Sequence, residues 1–327
     1  MALPAARLHA APLAWAARQL GAKPMLVAFS GGADSLALLL WLWASFPDRR
    51  ASFVAVHFNH RLRGREADGD EAFCREVCAA LKLKCRVGRW RRSAGAQGKV
   101  SEAQARRARH EFFARELDRF GARALWLAHQ QDDIAESMLM RLARGSGTAG
   151  LAAPRPVQVM GDGRVHLRPF LSLKKAELVA ALQAVGARWR EDSSNAGEAF
   201  FRNRVRHAVM PGWGEAAGRD ALAGAALSRE RLQEDDDALE HWVDALAVLS
   251  GRKHPRLNVA ALQGLPRAVV RRALHRWLLA LTETVDLSRQ GFDALLAIVE
   301  AGRPTRFSVG AGGFAVLAEG ILCFRRR

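Results

Sequence analysis

Ser30-Gly31-Gly32-Ala33-Asp34-Ser35 is the segment whose residue types point most directly to chemistry. It follows Met25 to Phe29, a short apolar run that reads as a buried strand, and it opens an apolar helix expected over Ser35 to Ser45. Two glycines let the backbone turn tightly with no side chain in the way. Ser30, Ser35 and free backbone N–H groups then face outward at a helix start, where the positive end of the dipole attracts phosphate. Asp34 would repel a bare phosphate, so it makes sense only against a divalent cation or an amine. The loop is not a Walker A motif, because no G-K-[ST] follows at the required spacing, and it is not G-x-G-x-x-G. The plain alternative is an ordinary helix-capping turn. The strand–loop–helix context favours phosphate binding.

Two further clusters carry polar residues at strand ends. His57-Phe58-Asn59-His60-Arg61-Leu62-Arg63 follows a second apolar run, Ser52 to Phe58. Two histidines without a third ligand make a weak metal signal. Beside the phosphate loop, this segment reads as the rim of a nucleotide or substrate site. His129-Gln-Gln-Asp132-Asp133-Ile-Ala-Glu136 follows the apolar Ala124 to Ala128. If a helix reaches back to His129, then His129, Asp133 and Glu136 share one face at i, i+4 and i+7. Carboxylates at a helix start suit the dipole, and they also suit Mg²⁺, which takes oxygen ligands. Glu102, Arg106, Arg109 and Phe113 lie on another helical stripe. Glu102 and Arg106 can pair at i, i+4; an arginine aimed at the site would instead neutralise a departing pyrophosphate.

Elements that could position these clusters alternate along the first part of the chain. Strands are expected at Met25–Phe29, Ser52–Phe58, Cys85–Val87 and Ala124–Ala128. Helices are expected at Ser35–Ser45, Asp68–Leu83, Ser101–Phe120 and Asp132–Arg144. Strands separated by helices predict an α/β fold with a parallel sheet and right-handed crossovers. Ligands of such sheets bind beyond the carboxyl ends of the strands. The three polar clusters each follow a strand and therefore converge. Residues 145–156 read as a loop, Leu167–Phe170 as extended, and Leu173–Val185 as a helix. Helices are then expected over Ala217–Val248, Val259–Leu262, Arg267–Leu281 and Ser288–Glu300, followed by a short C-terminal β-hairpin. The domain reading is 1–212, the nucleotide-binding part, and 213–327, a mainly helical part ending in the hairpin.

The chain has 327 residues, half of them hydrophobic, enough for two domains with buried cores. Fifty Lys and Arg against 33 Asp and Glu give a formal charge of +17, which favours polyanionic partners. A genome-wide bias toward Ala and Arg would produce the same excess. Four cysteines, Cys74, Cys78, Cys85 and Cys323, include no C-x2-C pair, so neither a metal cluster nor a disulfide framework is expected. No run reaches the roughly 18 apolar residues of a membrane span. The acid-free segment before the first strand resembles a transit peptide in composition, but is read as an amphipathic helix.

The ordered series of motifs resembles a family. S-G-G-A-D-S matches the PP-loop of N-type ATP pyrophosphatases. H-F-N-H-R-L-R, S-E-A-Q-A-R-R-A-R-H-E-F-F, L-A-H-Q-Q-D-D-I-A-E-S, R-L-A-R-G-S-G, R-P-F-L, E-D-S-S-N and F-R-N-R-V-R follow in the order seen in tRNA(Ile)-lysidine synthetases. The match is dense from Met25 to Pro211 and thins beyond. The resemblance implies an adenine nucleotide alpha-hydrolase-like PP-loop fold in a cytoplasmic enzyme. Such an enzyme adenylates C2 of the wobble cytidine of a CAU-anticodon isoleucine tRNA with ATP. It then joins the ε-amine of free L-lysine there, releasing AMP and pyrophosphate. It implies that Ser30, Gly31, Gly32, Ala33, Asp34 and Ser35 hold the ATP phosphates, and that Asp34 and Asp133 meet Mg²⁺ or the lysine amine. Arg109 would contact the phosphates. His129, Asp132 and Glu136 would line the lysine and metal region. Arg202, Asn203, Arg204 and Arg206 would face tRNA or brace the site.

Two positions depart from the family pattern: Arg61 replaces a small residue, and His110 stands where Tyr is common. Longer relatives carry a further C-terminal domain, so the chain reads as a shorter variant or as one whose grip on tRNA differs. The nearest alternative is a PP-loop tRNA 2-thiolation enzyme, which needs a reactive cysteine pair; Cys74 and Cys78, one helical turn apart, substitute poorly. A small-molecule ligase fits the charge badly. A protein that only binds nucleotide has little use for Asp34, Asp132, Asp133 and Glu136.

Overall fold

The computed structural model describes residues 3–19, 21, 23–62, 64–90, 101–191, 201–251, 254–281 and 285–327. Arg63, Asp192 to Asn195 and the side chain of Glu102 therefore lie outside the described residues. The chain divides into two compact units, Met1–Leu232 and Gln233–Arg327.

The first unit is built on a six-stranded sheet ordered β3-β2-β1-β4-β6-β5. These strands are β1 (Met25–Ala28), β2 (Phe53–Asn59), β3 (Lys84–Arg89), β4 (Ala124–Trp126), β5 (Val157–Val159) and β6 (Val165–Leu167). Every pairing from β3 to β6 is parallel, and β5 joins the edge antiparallel. β1, β4 and the first half of β2 are apolar throughout because both faces are covered. Met25, Val27, Phe53, Ala55 and Trp126 point into one core. That core also takes in α2 (Ala33–Ser45), α3 (Arg65–Ala80) and α7 (Lys175–Gln183). Leu26, Val54, Val56 and Leu125 point the other way, onto Phe112, Phe113 and Leu117 of α4 (Glu102–Arg119). The period-two alternation of a strand thus sorts its residues between two helical layers.

The sheet's position of most functional weight is β1, which pairs with β2 on one side and β4 on the other. Strand order reverses there, and the crevice beyond its carboxyl end is where such sheets hold ligands. The segment before β1 folds as helix α1 (Ala10–Gln19).

Several expectations are corrected. The hairpin β5–β6 lies between the expected loop 145–156 and the extended run at Leu167–Phe170, where no strand was expected; its strands are too short for alternation to declare them. After Leu167 the backbone becomes a 3-10 turn, Pro169–Ser172, not an extended run. The expected loop 145–156 contains a four-residue helix, α6 (Thr148–Leu151). α5 (Gln131–Leu142) starts after His129, so His129 does not share its face with Asp133 and Glu136. Beyond residue 200 come α8 (Phe201–Arg204), a π-turn at Val205–Val209, α9 (Met210–Ala217) and α10 (Ala221–Ala245). The division between the units falls inside α10.

The second unit packs α11 (Arg267–Ala280) and α12 (Arg289–Ala301) with a five-stranded sheet, β7-β8-β11-β10-β9. Its strands are β7 (Leu249–Ser250), β8 (Arg256–Asn258), β9 (Thr305–Ser308), β10 (Gly313–Ala318) and β11 (Ile321–Arg326), all antiparallel. The expected hairpin is β10–β11, and it sits inside this larger sheet. Trp277, fully buried at the centre, donates its indole N–H to the Pro255 carbonyl at 2.9 Å. Most buried Trp N–H groups find such a partner.

Candidate active site at the carboxyl end of the first sheet

The loop after β1 is held by its own hydroxyls. Ser30 N–H donates to Ser35 Oγ at 3.2 Å, and the two hydroxyl oxygens lie 3.0 Å apart. Ser35 Oγ donates to the Gly32 carbonyl at 3.0 Å. Gly31 adopts φ +91°, a region closed to most side chains. A Cβ there would also lie 3.3 Å from both Cys74 Sγ and the Phe73 ring. Gly32, at the N-cap of α2, offers no side chain to the first helical N–H groups. The start of α2 therefore keeps donors and a positive dipole end for an anion.

Asp34 stands in the first turn of α2, and its Oδ1 is buried without a hydrogen-bond partner. Burial and the neighbouring carboxylate of Asp133 push its pKa up to about 6; Lys175 and the Gln130 side chain pull the other way. The acids of the phosphate loop and of α5 are therefore close enough to repel, as the convergence of strand ends requires. Asp133 is raised by burial, with Arg202 opposing.

Gln130 organises this corner. Its side-chain oxygen accepts from Asp132 N–H at 2.6 Å and Asp133 N–H at 3.4 Å, capping α5. Asp133 Oδ2 accepts in return from Gln130 N–H at 3.0 Å. The reciprocal arrangement is a capping box, which fixes the Asp133 rotamer. Asp132 turns elsewhere: its Oδ2 accepts from Lys175 N–H at 3.0 Å and caps α7. With Lys174, Met210, Trp213 and Asp220, Asp132 also lines a cavity of about 500 Å³.

Glu136 is almost fully buried, with both oxygens engaged. Arg202 Nε donates to it at 2.7 Å, and Arg206 donates through Nε at 2.6 Å and Nη2 at 3.0 Å. Arg202 Nη2 also reaches Asp133 Oδ1 at 2.6 Å. α8 and the π-turn are thus tied to α5, and the intervening Asn203 is buried. Arg202 and Arg206 face the acids.

His129, in the β4–α5 loop, accepts from Arg168 Nε at 3.2 Å through Nδ1, which assigns the proton to Nε2. Burial and the charges of Arg168, Arg202, Arg106 and Arg109 hold its pKa well below the usual histidine range. It stays neutral and can donate from Nε2. Arg109, on α4, contributes to this positive field and also to that depressing His110 to about 4. Arg168 is a buried guanidinium that the motif reading did not assign. It donates to the Arg155 carbonyl at 2.8 Å and to Gln158 Oε1 at 3.0 Å, and burial with neighbouring arginines lowers its pKa to about 10. Its pairing with a histidine 39 positions away left no local signal in the sequence.

The rim after β2 is mainly architectural. His57 Nδ1 lies 3.0 Å from the Phe29 carbonyl, under the phosphate loop. Asn59 Nδ2 donates to Glu71 and Asp68 at 3.2 and 3.1 Å, and Asn59 Oδ1 accepts from Arg61 N–H at 2.8 Å. Arg61 has φ +52°, in the left-handed region that residues with a Cβ seldom adopt.

With this geometry in place, comparison with known proteins is direct. A family described as the PP-loop domain matches residues 9–213, and one described as the TilS substrate binding domain matches residues 257–326. The tRNA(Ile)-lysidine synthase of Rhodopseudomonas palustris is 37% identical, over 83% of this chain and 80% of that protein. The chain belongs to the tRNA(Ile)-lysidine synthase family. Family members from Geobacter sulfurreducens and Bacillus subtilis are 39% and 34% identical over 84% and 81% of this chain. The chain spans 58% and 57% of the length of those two lysidine synthases. Among solved structures, the U34-tRNA thiolase NcsA from Methanococcus maripaludis superimposes with a TM-score of 0.53 at 14% identity, over 69% of this chain and 78% of that one. That likeness concerns the fold alone.

Proposed function

We propose that this protein uses ATP to adenylate the C2 oxygen of the wobble cytidine of an isoleucine tRNA with a CAU anticodon, then joins free L-lysine at that carbon. In the first step the C2 oxygen bonds to the α-phosphorus, and the bond to the β-phosphate oxygen breaks to release pyrophosphate. In the second the lysine ε-nitrogen bonds to C2 and loses a proton, while the C2–O bond breaks and AMP departs. The cytosine C2 carbonyl is a poor electrophile, and adenylation supplies a leaving group. No protein nucleophile is needed, so positioning and charge stabilisation carry the rate.

The observation that carries this reading is the pairing of an open anion-binding helix start with an acid, Asp34, that keeps one buried oxygen without a partner, beside Asp133. The loop from Ser30 to Ser35 suits the ATP phosphates. The Asp34 and Asp133 oxygens are a fitting donor set for Mg²⁺, which would neutralise phosphate charge when bound. Either acid also suits the lysine ammonium. Neutral His129 can donate a hydrogen bond without adding to the positive field, and Arg109 can meet phosphate oxygens. Glu136, Arg202, Asn203 and Arg206 read as the wall that holds Asp133 in place toward the lysine, and Asp132 as the tie from that corner to α7. Residues 213–327 would add grip on the tRNA; the +17 formal charge, which favours a polyanionic partner, lies almost wholly in residues 1–212. The rival 2-thiolation reading is disfavoured by Cys74, whose thiol is pushed up in pKa by burial and so resists becoming a thiolate.

The test is to incubate the protein with ATP, Mg²⁺, labelled lysine and bulk bacterial tRNA. Label should enter one isoleucine tRNA species, with one pyrophosphate released per lysine incorporated. Pyrophosphate release without RNA, or label spread over many tRNAs, would reject the proposal.

A further inference from the structure

The phosphate loop is held from outside as well as by its hydroxyls. After α7 the chain returns as an irregular segment across the glycine turn, and Arg190 N–H donates to the Gly31 carbonyl at 3.0 Å. Arg190 Cγ lies 3.6 Å from the place a Cβ on Gly31 would occupy, and its carbonyl oxygen 3.9 Å from that on Gly32. Its side chain continues to α3, where Nε donates to Asp70 Oδ1 at 2.9 Å. Asp70 is buried. The Arg190 Nη2 lies 3.3 Å from where a Cβ on Gly69 would sit, so that glycine leaves room for the guanidinium. The neighbouring Trp189 packs against the main core.

One peptide plane links this contact to the ligand side. The Gly31 carbonyl and the Gly32 N–H belong to the same trans peptide and point to opposite sides. With the carbonyl pinned to Arg190, the Gly32 N–H is turned toward Ser30 Oγ, which it meets at a long 3.4 Å. A donor so weakly engaged is ready for a better acceptor. Free rotation of that plane is what a Gly-Gly turn would otherwise allow.

We propose that Arg190, anchored by Asp70, is a positioning residue that straps the Gly31–Gly32 peptide into its phosphate-binding orientation. The proposal rests on the reading that this loop holds the ATP phosphates. Neither side chain touches the reacting atoms. Their effect is preorganisation of the loop, which appears in ground-state binding.

The test uses the full chain with Arg190→Ala, Arg190→Lys and Asp70→Asn, probed with Mg-ATP and with Mg-pyrophosphate. Arg190→Ala and Asp70→Asn should weaken both ligands by about three- to tenfold, the worth of one charge-assisted hydrogen bond. KM for ATP should rise in step while kcat stays within about twofold, as loss of uniform binding requires. Arg190→Lys, which can still reach Asp70, should recover part of the affinity. Hydrogen exchange at the Arg190 amide should quicken in Arg190→Ala and Asp70→Asn, with melting temperatures close to wild type. Unchanged affinity and unchanged amide protection in both variants would overturn the strap, as would a kcat loss with constant KM. If the wild-type protein binds neither ATP nor pyrophosphate, the nucleotide reading fails instead, and amide exchange alone decides whether the strap exists.

Discussion

Asp34 and Glu136 are two carboxylates of one corner, treated in opposite ways. Glu136 is buried with both oxygens engaged by two guanidiniums. Asp34 keeps a buried oxygen with no partner and lies near a second acid. A buried charge that is fully paired belongs to the scaffold, and an unpaired one is kept only where a ligand completes it. The difference separates the residues that build the site from those that await a substrate or cation. Asp133 stands between them, with one oxygen in the helix cap and the other on Arg202.

The largest expected effect tests the unpaired side. Asp34→Ala should lower pyrophosphate release by about 100-fold or more, the scale of a lost electrostatic contact in a preorganised site. Far-ultraviolet circular dichroism should be unchanged. Normal turnover would erase the contrast. Glu136→Ala tests the paired side: it takes away the carboxylate that Arg206 pairs with and one of the two that Arg202 does, and should cost about 3 kcal/mol in urea unfolding. A cost near zero would mean that Glu136 is not scaffold.

A subtler test separates stability from activity at Asp34 itself. Its pKa is raised to about 6, so the fold disfavours the charged form. Below about pH 4 the carboxyl is protonated both folded and unfolded, and there is no penalty. The penalty grows as pH rises and is complete above 6. Without ATP or Mg²⁺, Asp34→Asn should therefore be more stable than wild type by about 2 kcal/mol at pH 8, allowing for partial exposure, and no more stable near pH 3. A pH-independent difference would show that Asp34 is not penalised. The smallest effect concerns the rim, where Arg61→Gly should raise stability by about 1 kcal/mol by relieving the left-handed backbone. Thermal melts would read it, and a loss would mean that the Arg61 side chain outweighs the strain.

Much of the first unit was legible because its signals are local. A strand buried on both faces shows as an unbroken apolar run, so β1, β2 and β4 could be read directly, and even the weak β3 was placed at Cys85–Val87. Ser101 and Ser288 capped their helices where a serine at a helix start should. The hairpin β5–β6 was missed because three-residue strands carry too little alternation. In the second unit β7 and β8 were missed too, because strands of two and three residues leave little alternation to read.

The sequence by itself pointed to the phosphate loop, the order of the chemical motifs and their convergence beyond the carboxyl end of one sheet, because each follows a strand of a parallel sheet. Only the tertiary structure decided which acids are spent and which are open. Arg202 and Glu136 are 66 positions apart, and Arg190 and Asp70 are 120 apart. Whether a charge is paired depends on distance in space, and a linear pattern of residue types does not encode that distance.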